Sequence, residues 1–192
     1  MNYEEFETFL SQNVGRFELI NGIPLLKPVA STEQFEANRC VKGLLCFYSL
    51  RNNHDSIFHP YITWLDGLNN VYVPDACIVL NLCQLSSRGY EGAPDLAVEI
   101  LSPFSTYYIK EIKKSIYFSC GTREYWIVDP IHKFVEVWYG IDSFVTYYND
   151  DNLVSSLLPG LTIRTSLLFS NRENPELVEY LRNILFPISE RV

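Results

Sequence analysis

With 15 Lys and Arg against 23 Asp and Glu, the 192-residue chain carries a net charge of −8; 47% of its residues are apolar and 20% charged, an ordinary globular composition. That length fits one domain, expected to span residues 1–192, with enough chain to bury a substantial core. The charge argues against a surface that attracts nucleic acid as a whole, and no window approaches the roughly 18 uninterrupted apolar residues of a membrane-spanning helix.

The acidic start, MNYEEFETFL, lacks the basic region that opens a signal peptide, so a cytoplasmic protein with no membrane partner is expected. Residues 2–12 read as a short amphipathic helix with Tyr3, Phe6 and Leu10 at helical spacing. RFELI, Asn21-Gly22 and IPLLK form a hairpin signal, because Asn-Gly favours the primed turn of tight hairpins. Ser31 or Thr32 then caps a long helix to about residue 51, with Phe35, Val41, Leu44, Leu45 and Tyr48 as its buried stripe. SIFHPYITW and VYVPDACIVL read as adjacent strands, followed by PDLAVEIL as a third. Residues 105–120 are predicted helical and end at Gly121, which suits a left-handed cap. EYWIVD, KFVEVWYG and SFVTYYND form a meander with a bend at Asp129-Pro130, and Pro175–Leu185 is a final helix with proline in its first turn. The order predicts an α/β fold: a mixed central β-sheet flanked by helices, with an N-terminal hairpin and a C-terminal β-meander.

Candidate chemistry concentrates in the strand PDLAVEIL and the helix after it. Leu96, Val98 and Ile100 share the core face, which leaves Asp95, Ala97, Glu99 and Leu101 on the other. Glu99 is therefore a mid-strand charge between apolar neighbours, costly unless it binds a metal or pairs with Lys113 or Arg123. Asp75, whose face mates are Val73, Cys77 and Val79, is either a second such carboxylate or a strand-entry cap after Pro74. Asp95 follows Pro94, where capping and a supporting role at the site both fit. Glu18 either supports the site or lies on the exposed face of the hairpin.

On the helix, Lys110 and Lys114 share a face and Lys113 points about 100° away from Lys114. A solvated lysine stripe is the simplest account of them, and with Arg123 they could form a local basic patch. His54, His59 and His132 are scattered and read as surface or packing residues. The five cysteines form no CxxC pair and read as reduced core thiols. No nucleophile elbow and no phosphate-binding glycine loop occurs, so covalent acyl chemistry and phosphate-loop chemistry are unsupported.

Taken together, FELINGIPLLKP, VPDACIVL, PDLAVEILSP, KKSIYFSCGTREYWIVDP and the later PGLTI resemble the Uma-type restriction endonuclease family, a branch of the PD-(D/E)XK nuclease superfamily. The resemblance implies a restriction-endonuclease-like core and a metal-dependent DNA endonuclease that hydrolyses phosphodiester bonds. It implies that Asp75 and Glu99 hold a divalent metal and that Lys113 orients or activates the attacking water. The position two after Glu99 is Leu101, so the superfamily's Glu-x-Lys is absent and the lysine is supplied from the helix, as in the family's migrated arrangement. Oxygen ligands without histidine favour Mg²⁺ or Mn²⁺ over Zn²⁺. The chain departs from the family pattern at TYYIKEIKK, one residue shorter, and at Gln34-Phe35, where a histidine is common.

Two functional expectations follow. One is the endonuclease with DNA as substrate. The other, motivated by the acidic charge and those departures, is a catalytically inactive member acting as a binding or assembly module. A homodimer is a further expectation, since cutting both strands of a duplex takes two sites and the meander at 134–148 is rich in aromatic side chains.

Overall fold

The computed structural model describes residues 1–52, 69–81, 83, 85–86, 89–103, 106–171 and 173–185. The expected strand SIFHPYITW, with His54 and His59, lies outside the described residues. Helix α1 (Tyr3–Gln12) starts with a reciprocal cap between Asn2 and Glu5 and buries Tyr3 and Phe6. The hairpin of β1 (Phe17–Ile20) and β2 (Ile23–Leu26) turns through Asn21 and Gly22, at φ of 50° and 76°, as the primed turn requires.

Ser31, rather than Thr32, caps helix α2 (Thr32–Asn52): its hydroxyl accepts the Gln34 amide, and the Gln34 side chain accepts the Ser31 amide at 2.8 Å. The buried stripe of α2 runs through Ala37, Cys40, Val41, Leu44, Leu45 and Tyr48. Phe35, expected in that stripe, is exposed instead. It sits two residues before Ala37, about 200° around the helix, on the side that faces away from the sheet.

The run VYVPDACIVL is two pieces and not the single strand expected. Val71 bridges to Leu19 of β1, whereas β3 (Ala76–Ile78) joins the main sheet. Pro74 has no N–H to give to a ladder, so the chain changes partner there. After a small hairpin of β4 (Leu85–Ser86) and β5 (Gly89–Tyr90), the sheet continues with β6 (Leu96–Ile100), β7 (Glu124–Asp129), β8 (Phe134–Gly140) and β9 (Ser143–Tyr148). Its order is β3-β6-β7-β8-β9, and only the β6–β7 pair is parallel.

A parallel pair needs a crossover. Here it is the helical run expected over 105–120, of which Tyr108–Lys113 is a π-helical segment running directly into α3 (Lys114–Ser119). Gly121, at φ 108°, closes α3: its amide reaches the Phe118 carbonyl, and the Thr122 amide reaches the Tyr117 carbonyl at 3.0 Å. Beyond β9 come the pair β10 (Asn152–Val154) and β11 (Thr162–Arg164), a 3₁₀ turn (Thr165–Phe169), and α4 (Pro175–Leu185).

Strand parity sorts the core into two layers. Leu96, Val98 and Ile100 pack with α2, α4 and the 3₁₀ turn. Ala97 and Leu101 pack on the other face with Ile109, Tyr117, Tyr125 and Ile127 under the crossover. The sheet is therefore covered on both sides, and Glu99 points into the second layer.

Candidate active site

Five charged side chains from five stretches of chain meet at the end of β6. Glu18 comes from the middle of β1, Lys27 from just after β2, Asp75 from the residue before β3, Glu99 from β6, and Lys113 from the last residue of the π-helical segment. They line a cleft of about 950 Å³ between the hairpin, the start of α2 and the sheet. Lys113 and Glu99 are each 1% exposed and Glu18 3%, so these charges must be compensated internally.

The compensation is specific. The Lys113 ammonium donates to Glu18 Oε1 at 2.7 Å and contacts Glu99 Oε1. Glu18 Oε1 also accepts the Val73 amide at 2.8 Å, and the Tyr108 hydroxyl donates to its other oxygen at 3.5 Å. Asp75 is fixed from the backbone: its Oδ2 accepts the Ile100 amide at 2.9 Å, which ties the carboxylate to the strand bearing Glu99. The Lys27 ammonium lies 3.1 Å from Asp75 Oδ1 and 3.7 Å from Glu99 Oε2, and it donates to the Val73 carbonyl at 2.7 Å.

These surroundings set the charge states. Burial pushes the Glu99 carboxyl up to about 7; Lys113 and Lys27 oppose the rise, while Asp75 and Glu18 add to it. For Asp75, burial is outweighed by Lys27 and the Ile100 amide, and the carboxyl lies below its usual range. Glu18 is likewise held low, because Lys113 and Lys27 outweigh its burial. Burial alone would lower Lys113, but Glu18 and Glu99 hold it above the ordinary lysine range. Its place between two carboxylates therefore favours the charged ammonium, a hydrogen-bond donor.

Asp75, Glu99, Lys113 and Glu18 are all brought together here. Of the two readings left open for Glu18, the exposed hairpin face does not hold, because the bridge between Leu19 and Val71 and the crossover helix bury that side of β1. Asp95 is not part of the cluster. It stands at the opposite end of β6, where it accepts the Leu80 amide at 2.8 Å and pairs loosely with Arg123. The local basic patch is absent: Lys110 pairs with Glu136 at 2.5 Å, and Lys114 is buried with its ammonium 3.4 Å from the centre of the Trp138 ring. His132 is exposed, and its amide donates to Asp129 Oδ1, the carboxylate that caps this turn. All five cysteines are free, although Cys83 is exposed where a core thiol was expected. Lys27 was missed. It closes the FELINGIPLLK run, and only the folding of the hairpin onto the sheet reveals its partners.

Among the described residues, no group of three or more His, Cys, Asp or Glu side chains forms a ready-made metal cage. Asp75 and Glu99 nevertheless suit a hard cation that keeps several waters and needs only one or two carboxylates, as Mg²⁺ does. The space between them already attracts a cation, since the Lys27 ammonium occupies it.

Residues 3–166 match the family model described as "Uma2: Putative restriction endonuclease". Among solved structures, the chain is similar to the crystal structure of "a putative nuclease belonging to DUF820" from Anabaena variabilis ATCC 29413. The TM-score is 0.69 at 19% identity, over 88% of this chain and 97% of that chain, a likeness of fold. No curated protein matches.

Proposed function

The chain belongs to the Uma2 family, whose model is described as putative restriction endonuclease, and from that membership we propose a cytoplasmic, divalent-metal-dependent DNA endonuclease built on a restriction-endonuclease-like core. The observation that carries the reading is the convergence of Asp75, Glu99 and Lys113 in one cleft. Asp75 and Glu99 are the residues that would hold Mg²⁺ or Mn²⁺. When bound, the metal supplies charge stabilisation for phosphate and acidity for water.

The remaining work falls to side chains already fixed in place. Glu18 orients the Lys113 ammonium and keeps it charged, so that it can donate to the attacking water or to a phosphate oxygen. The Ile100 amide pins Asp75 relative to Glu99, which sets the carboxylate pair before any ligand arrives.

Plasmid cleavage with Mg²⁺ tests the reading. The wild-type chain is expected to nick or linearise DNA, and Glu99→Gln to lose about 100-fold or more of that activity. Equal cleavage by both proteins would identify a contaminating nuclease. A second reading, an inactive binding or assembly module, draws on the two lysines that already neutralise most of the carboxylate charge.

A further inference from the structure

We propose that Lys27 is a resident counter-ion of the carboxylate pair, competing with a divalent cation for the space between Asp75 and Glu99. The inference rests on the metal-site reading above but concerns a residue outside the Asp75, Glu99 and Lys113 set.

Three observations carry it. First, the Lys27 ammonium reaches both proposed ligands, Asp75 Oδ1 at 3.1 Å and Glu99 Oε2 at 3.7 Å. Second, its bond to the Val73 carbonyl at 2.7 Å holds the amine there from a third side. Third, Lys113 lies on the opposite flank of Glu99, on Oε1, where it pairs with Glu18. The two lysines thus divide the cluster: Lys113 is locked between two glutamates, while Lys27 spans the oxygens that would bind metal.

Lys27 is also the more releasable of the two. Its side chain is 17% exposed against 1% for Lys113, and it follows the hairpin at the mouth of the cleft. An ammonium that must be displaced weakens the apparent affinity for metal, and once displaced it stays beside the cleft as a donor for phosphate.

Isothermal titration of Mn²⁺ into wild type, Lys27→Met and Lys27→Gln tests the proposal, with circular dichroism to establish folding. The glutamine variant can still donate to the Val73 carbonyl, so it remains informative if the methionine variant fails to fold. The expected result is Mn²⁺ binding about tenfold tighter in the variants, with the gain abolished when Asp75→Asn is added. Binding by the variants but not by wild type would support the proposal while overturning the metal-dependent nuclease. Equal affinity in all three would overturn the competition and leave the nuclease reading standing. Absence of binding in all three, or a gain that survives Asp75→Asn, would overturn both the competition and the assigned metal site.

Discussion

Glu18 and Lys113 meet across 95 residues of sequence and tie the hairpin to the crossover at the cleft. Truncating Glu18 to Ala leaves the buried ammonium with Glu99 as its remaining carboxylate partner. The expected cost is about 3–5 kcal/mol in urea denaturation, with Glu18→Gln costing less because it keeps an acceptor. An unchanged midpoint for the alanine variant would show that the pair contributes nothing to stability. Glu99 was legible from sequence because a charge in the middle of an apolar strand is conspicuous. Asp75 was legible only as one of two possibilities, and neither the parity of its strand nor Pro74 announces what the fold gives it, an anchor on the Ile100 amide of β6 with its other oxygen facing the cleft. Glu18 lies on a short hairpin and Lys27 just after it, where alternation does not reveal which side another layer will cover.

At the scale of elements, local signals with a stereochemical cause held. Asn21-Gly22 makes its hairpin, and Gly121 ends α3 in the left-handed region. A methyl group at Gly121 would meet no atom within 4 Å, so Gly121→Ala should cost only backbone strain. We expect about 1 kcal/mol, or a melting temperature lower by about 2–4 °C; an unaltered melt would contradict a strained φ. Features set by tertiary contacts were not legible. The break at Pro74 depends on β1 and β6 competing for neighbouring segments of one chain. The π-helical segment that ends at Lys113 gives no periodicity signal distinguishable from an α-helix over so few residues. Phe35 looked like core because its helix offers apolar residues on several sides.

For the whole molecule, the sheet has an open margin. β9 is an edge strand on which Phe144, Val145 and Tyr148 are 48%, 44% and 59% exposed, whereas Val135 and Val137 of β8 are buried within the protein. The inner strand of the meander therefore covers the protein's own core, and the exposed side chains of β9 are where the expected homodimer would have to form. Light scattering at micromolar concentration should give about twice the 22.3 kDa chain mass; a mass of one chain, unchanged by Mg²⁺, would exclude the dimer. Among the described residues, no helix is long and apolar enough to cross a membrane. The charge balance of the cleft has a consequence for the order of events. Glu99, its carboxyl pushed up to about 7, ionises fully only above neutral pH. With Glu99 ionised, three carboxylates outnumber two ammonium groups by one in a chain of net charge −8, so an approaching phosphate would meet repulsion at long range and, as pH rises, at the site as well. On the proposed metal-dependent reading, a divalent cation would reverse the local sign, and the expected order is metal first, nucleic acid second. Fluorescence anisotropy of a labelled duplex should then show binding about tenfold tighter in millimolar Ca²⁺ than in EDTA, and equal affinity in the two would mean that DNA is held by a surface remote from these five residues.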